Sequence, residues 1–517
     1  MRPLVPALLA AAATLTGAAP QPSRAVDAAF AKFWAAKDPG DAAKAAVEVV
    51  KTGSAFDEAY ARVKQGRTFD AHPPIGIVSG RRGEFSYFLD VPATYNPSHP
   101  YQVRFQLHGG ISAPRDHNER RGRAGIGRLA GAEQIYVLPA SWNDEPWWSM
   151  DQVENLRAIL DTVKRTYNVD DNRVVVSGVS DGGTGAYYVA MRDTTPYAAF
   201  LPLNGYILVL QHAVPDREPD LFPGNLRNKP LFVVNGGRDP LYPMAAVEPT
   251  LEHLARGGVN ITYKPQPQAG HDTSWWPDVK DAFEGFVREH PRVPLPDRLT
   301  WETSDPHRSG RAHWLQIDAL GTVSDEVKDL PDLNAYTRAP AADLGFRLAP
   351  ALRIDRIIKD TMAARMGLER NDVIQAVGGT SIRSDADLLG ALQTFKSGSP
   401  IRMTVLRSGH TVELSGIFEP QVVQAPSEPM FRRSGRSGRV DLLRSGNTVN
   451  ARTRGVTQFT LLLSPDQFDF SQPLQVVVNG RTAFEGRVEK SLATLMKWAA
   501  HDNDRAMLFG AELTIKP

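Results

Sequence analysis

From about residue 75 to 290, short apolar runs alternate with longer amphipathic ones, and this alternation constrains the fold more than any other feature. "FSYFLDVP", "QVRFQLHG", "EQIYVLPA", "RVVVSG", "AFLPLNG", "PLFVVNGG" and "ITYKPQP" read as strands, most of them ending in Gly, Pro or Asn. Between the later ones, "DQVENLRAILDTVKRTY", "MAAVEPTLEHLARGG" and "DVKDAFEGFVREH" carry apolar residues at helical spacing. Strand and helix in alternation predict a mainly parallel sheet covered by helices on both faces. In such sheets the chemistry gathers at the C-terminal ends of the strands.

The flanking segments follow other patterns. Residues 26–66 are Ala-rich with a period near that of a helix, and are expected either to cover an active site or, the plainer reading, to pack on a neighbouring domain. "HPRVPLPDRLTWETSDP" is a proline-rich boundary, and residues 341–417 form a compact unit of their own. Beyond the polar "SEPMFRRSGRSGR", the runs "NTVNARTRG", "QFTLLLS", "PLQVVVNGR" and "GAELTIKP" are closely spaced strands, the pattern of a β-sandwich. "RAHWLQIDAL" has no partner nearby in sequence and is assigned to this sandwich, which makes the middle unit an insertion.

The 517 residues exceed what one core organises, so two to four domains are expected. Lys+Arg (59) nearly cancels Asp+Glu (58), which argues against a nucleic-acid binder or an anionic-membrane binder. The N-terminal "MRPLVPALLAAAATLTGAAPQPSRA" has the layout of a secretory signal peptide, placed at 1–19, and no later segment is apolar enough to span a bilayer. The expectation is an exported protein, periplasmic or extracellular. With no cysteine, a thiol nucleophile and a Cys-held metal are excluded. No metal-binding or nucleotide-binding motif occurs, so no cofactor is expected; "AGIGRLAG" precedes a strand instead of following one and is not a dinucleotide fingerprint.

Within the alternating region, "GVSDG" follows a β-branched run and opens a helix-compatible segment. A strand-to-helix turn this sharp needs its glycines for close packing and lifts Ser180 clear of the sheet edge. A serine needs a positioned base to attack anything. "NGGRDPLYP" offers Asp239 after one strand and "PQAGHDTSWWP" offers His271 after the next. Asp272, Asp216 and Asp220 are the alternative acids. Backbone N–H groups around Gly109–Ile111, Gly110 and Ile111 foremost, together with that of Asp181, are the expected oxyanion donors. Trp147, Trp148, Trp275 and Trp276 fall in loops at the same end and are expected to wall the substrate site. His108 is expected to orient its loop.

With "HGG", "GVSDGG", "GGRDPLYP" and "GHDTSWW" in this order, residues 75–290 resemble a secreted α/β-hydrolase of the esterase, polyester-depolymerase and dienelactone-hydrolase-like kind. The resemblance implies a Ser180–Asp239–His271 triad and an acyl-enzyme intermediate. Residues 341–417 resemble a PDZ domain, with "DLGFRL" as carboxylate-binding loop. Leu344, Gly345 and Phe346 would then hold a peptide C-terminus, or the unit serves as a spacer. The expected fold is an α/β-hydrolase sheet with flanking helices, followed by a β-sandwich-like domain carrying the PDZ-like insertion. The expected limits are 26–72 for the helical segment, 73–292 for the hydrolase, 300–340 and 430–517 for the sandwich, and 341–417 for the insertion. The expected function is hydrolysis of small or polymeric carboxylic esters. A prolyl-oligopeptidase-like serine peptidase is the alternative, and an inactive binding protein comes after it.

Overall fold

The computed structural model describes residues 24–123, 129–215, 218–321, 332–337, 341–392, 394–423 and 427–517. The expected signal peptide, Asp216 and part of "AGIGRLAG" lie outside them. The first described elements are helices α1 (Arg24–Trp34), α2 (Pro39–Lys51) and α3 (Phe56–Gln65). Asp38 caps α2 by accepting the Asp41 N–H at 2.8 Å, with Pro39 at the first helical position. Their apolar faces do not cover the serine. Phe30, Phe33, Ala46, Val49 and Val63 pack on Leu495 and Met496 of the C-terminal helix Leu492–Asp502.

The central sheet comprises β1 (Gly76–Arg82), β2 (Phe85–Val91), β3 (Tyr101–Leu107), β4 (Ile135–Pro139), β5 (Val169–Val179), β6 (Ala199–Leu203), β7 (Leu231–Gly236) and β8 (Ile261–Gln266). Their order is β1-β2-β4-β3-β5-β6-β7-β8. The first two pairings are antiparallel, and every pairing from β4–β3 onward is parallel. That is the α/β-hydrolase arrangement. Strand β1 is a departure from expectation: "GIVSGRR" lacks an apolar alternation, and it pairs through backbone bonds at the sheet edge.

Helix α4 (Arg115–Arg123) follows β3, α5 (Met150–Thr166) follows β4, α6 (Asp181–Arg192) follows β5 and the short α7 (Leu210–Ala213) follows β6. Helices α8 (Met244–Arg256) and α9 (Trp276–Glu289) follow β7 and β8. One face of the sheet buries Val103, Phe105, Val176 and Val233 against α5, α6 and α8. The other buries Leu203, Phe232 and Val234 against Phe283 and Phe286 of α9. Burial on both faces explains why β6 and β7 are almost uninterrupted apolar runs, while β3 buries Arg104 and Gln106 among its apolar residues.

Two further sheets form the sandwich. β9 (Arg298–Thr303) edges a five-stranded sheet with Gly438–Ser445, Thr448–Arg454, Leu474–Val478 and Arg481–Gly486. β10 (Arg311–Ala312) and β11 (Leu315–Leu320) join Val456–Leu463 and Ala511–Ile515 in a four-stranded one. "RAHWLQIDAL" thus finds its partner far downstream, Leu315 lying opposite Leu461. Trp301, Trp314, Phe459 and Val476 fill the space between the sheets. The strands Phe346–Ala349, Arg353–Ile357, Val373–Val377, Pro400–Arg407 and His410–Ile417 form, with the helix Asp385–Leu392, a separate core inserted after β11. Buried ionic contacts join the eight-stranded-sheet domain to the sandwich: Arg292 grips Asp504 at 2.6 and 2.9 Å, and Lys164 bridges Asp171 at 2.7 Å and Asp504 at 3.6 Å.

Candidate active site

Ser180 sits between the end of β5 and the start of α6 with φ 58° and ψ −120°, a conformation a side chain rarely adopts. Only glycines fit around it. A Cβ on Gly178 would lie 2.1 Å from the Gly182 carbonyl oxygen, and one on Gly182 would lie 2.2 Å from that of Leu107. The Ser180 N–H donates to the Leu203 carbonyl at 2.9 Å, pinning the turn to β6.

The loops after β7 and β8 bring two side chains to this turn. Ser180 Oγ lies 2.8 Å from His271 Nε2, and His271 Nδ1 lies 2.7 Å from Asp239 Oδ2. The acceptor-only carboxylate assigns the proton to Nδ1, leaving Nε2 to accept from the serine hydroxyl. Asp239 Oδ1 meanwhile accepts the N–H groups of Leu241 at 2.8 Å and Tyr242 at 3.0 Å. Burial works to raise the Asp239 carboxyl, but the bonds from His271, Tyr242 and Leu241 outweigh it and hold it below its ordinary value. His271 is raised, first by its bond to Asp239 against the opposing effect of burial, then by the charges of Asp239, Asp181 and Asp272. The alternative acids are engaged elsewhere. Asp272 accepts from Ser274 N–H, and Asp220 accepts from Ser434 and Gly435.

The expected oxyanion donors are close to the serine, but two of them already have a partner. Gly110 N–H and Ile111 N–H both donate to Asp181 Oδ2, at 3.0 and 3.1 Å. The Asp181 N–H opens α6 and has no acceptor within the helix. Gly109 adjoins the serine so tightly that a Cβ there would come within 2.8 Å of Ser180 Cβ. His108 braces this loop: its Nε2 accepts the Ser141 N–H at 3.1 Å, so Nδ1 faces the Gly109 carbonyl as donor.

The tryptophan wall is corrected by burial. Trp147, Trp148 and Trp275 are almost fully inaccessible, and Trp147 Nε1 donates to the His108 carbonyl at 2.8 Å. They close the core beneath the loops. Trp276 is half-buried, packed edge-on against Phe283 and bonded to the Ala130 carbonyl. The aromatic groups at the site are tyrosines instead. Tyr242 stands edge-on to His271 with ring centroids 5.4 Å apart, and Tyr206 lies 5.9 Å from Tyr242. Leu241 beside them is 62% exposed. Sequence reading passed over Tyr242 although it stands three residues after Asp239, and it credited Asp181 only with its N–H.

In the inserted unit, Gly345 has φ 86°, and a Cβ there would meet Thr361 Oγ1 at 1.9 Å. The carbonyls of Leu344 and Gly345 accept from Ala363 at 3.2 Å and Ile358 at 2.7 Å. Phe346 is buried, and the strand it opens, Phe346–Ala349, is an edge of its sheet.

Residues 353–407 match the PDZ domain family, a stretch that begins after the Leu344–Phe346 loop. A bifunctional acetylxylan esterase/xylanase, XynS20E, of Neocallimastix patriciarum is 26% identical over 168 residues, 31% of this chain and 22% of that protein. The chain therefore spans about a fifth of the length of that curated relative. Similar solved structures include a thermostable esterase at 20% identity, covering 42% of this chain and 62% of the other with a TM-score of 0.32. Est1E from Butyrivibrio proteoclasticus is 16% identical, covering 41% and 98% with a TM-score of 0.30. A ferulic acid esterase is 16% identical, covering 43% and 99% with a TM-score of 0.32. Among the described residues no helix is long and apolar enough to cross a membrane.

Proposed function

We propose that this chain is a serine hydrolase of carboxylic esters. The observation that carries the reading is the continuous hydrogen-bonded relay from Ser180 through His271 to Asp239 at the C-terminal edge of an α/β sheet. In the proposed reaction Ser180 Oγ attacks the acyl carbon while its proton passes to His271 Nε2. The carbonyl electron pair moves onto oxygen, which the N–H groups of Asp181, Gly110 and Ile111 receive. Collapse re-forms the carbonyl and breaks the ester C–O bond, and the alcohol leaves with the proton from His271. Water repeats the sequence on the acyl-enzyme. Asp239 keeps the imidazole in the tautomer the base needs. The exposed Leu241 and the edge of Tyr242 offer an apolar surface to the acyl or alcohol part.

The test is turnover of short p-nitrophenyl esters, feruloyl esters, polyester film and prolyl anilides by the wild type and Ser180→Ala. Ester turnover is expected to fall by about 10⁴-fold or more in the variant. Unchanged turnover would sink the nucleophile assignment, and anilide cleavage exceeding ester cleavage would move the reading to a peptidase.

The same reading assigns export to the segment 1–19, checked by the N-terminal mass of the protein recovered after expression. It divides the rest into a helical segment 26–72, a hydrolase 73–292, a sandwich 300–340 with 430–517, and a PDZ unit 341–417 that docks a peptide C-terminus at Leu344–Phe346.

A further inference from the structure

We infer that the Asp181 carboxylate is the resident occupant of the oxyanion site, which an incoming acyl oxygen has to displace. The inference rests on the ester-hydrolase reading above and deepens it. Two backbone N–H groups, on Gly110 and Ile111, converge on the single oxygen Asp181 Oδ2 at 3.0 and 3.1 Å. They belong to the loop whose Gly109 abuts Ser180. Two convergent donors within reach of a nucleophile are what a developing oxyanion requires. In the free protein that place is taken by an anion of the protein's own.

The charge decides what this does. A carboxylate accepts N–H bonds roughly twice as strong as a neutral oxygen does. The uncharged carbonyl of a bound ester is therefore the weaker competitor and does not dislodge Asp181 readily. As Ser180 adds, the acyl oxygen gains a full negative charge and competes on equal terms. The bound ester therefore leaves Asp181 in place, and the cost of displacing it is met as the oxyanion forms, which lowers kcat more than it raises KM. Before attack, the carboxylate also keeps the two N–H groups pointed inward. Asp181 is half-buried, so on displacement its carboxylate can turn to water. It stays beside the reacting carbon, so acyl groups carrying their own carboxylate are disfavoured.

The deciding variant is Asp181→Asn in the full chain. Its amide oxygen still accepts both N–H groups, so loop geometry is retained while the charge is removed. Phenylboronic acid, which adds to the serine as a tetrahedral adduct, is titrated against wild type and variant. KM and kcat are measured with p-nitrophenyl butyrate and with the hemisuccinate ester. Boronate binding is expected to tighten about tenfold, with kcat rising and the butyrate-over-hemisuccinate preference shrinking. Asp181→Ala carries the same expectation and decides the matter should the Asn variant fail to fold. Ser180-dependent turnover with unchanged or weaker boronate binding would overturn the inference alone and make Asp181 a brace for the loop. No Ser180-dependent turnover in the wild type would overturn both the inference and the reading beneath it.

Discussion

His271 acts as a base only while Nε2 is unprotonated, so its titration sets the acid limb of the reaction. Three carboxylates act on it, Asp239 by hydrogen bond and charge, Asp181 and Asp272 by charge, and together they outweigh burial. Each stabilises the imidazolium, so the folded value lies above the ordinary 6.5. The sign follows: lowering the pH through this raised value protonates the base and removes activity. A profile of kcat/KM against pH is expected to lose its acid limb above 6.5, and a limb below that value would contradict the geometry at Asp239. The carboxyl of Asp239 is held below its ordinary value, so it remains the charged partner across that range.

At the scale of elements, each functional group is set by a strand end and by the backbone that cannot be thickened there. Gly178 and Gly182 let α6 press onto β3 and β5, and Gly345 does the same between the Leu344–Phe346 loop and Thr361. Gly345→Val would push a side chain into Thr361 at a positive φ, and so would reshape the loop at the edge strand Phe346–Ala349. The full chain is expected to bind an apolar peptide with a free C-terminal carboxylate and to lose at least about tenfold affinity when that carboxylate is amidated or when Gly345 is replaced. Equal binding of both peptides in a calorimetric titration would leave the unit as a spacer. Strands β4, β6 and β7 were legible because burial on both faces leaves them apolar, and the serine, histidine and aspartate were legible because each follows a strand, His271 following the half-exposed edge strand β8. β1 was not, because an edge strand with two glycines and two arginines is specified by its partner's backbone. The tryptophans were misplaced for a related reason: a loop residue can be buried by an element that packs over it, and sequence spacing carries no trace of that. Asp181 was half read, since the direction of its carboxylate depends on a loop some 70 residues earlier.

Across the whole molecule, the eight-stranded-sheet domain and the sandwich share charges buried out of water. Arg292 and Asp504 are both nearly inaccessible and meet through two hydrogen bonds. Removing one partner leaves the other charge buried and unpaired, so Arg292→Ala is expected to cost about 3–5 kcal/mol in urea denaturation. A loss within experimental error would mean that Lys164, 3.6 Å from Asp504, compensates fully. The outermost helices carry a different consequence. α1, α2 and α3 bury their apolar faces on the helix Leu492–Asp502, and Lys64 of α3 reaches Asp466, 402 residues further on. During synthesis these three helices emerge long before their partner, the helix Leu492–Asp502. They wait through the making of the eight-stranded-sheet domain, the insertion and most of the sandwich with their apolar faces unpaired, the interval in which a chain is most open to chaperones, to proteolysis and to passage in an unfolded state.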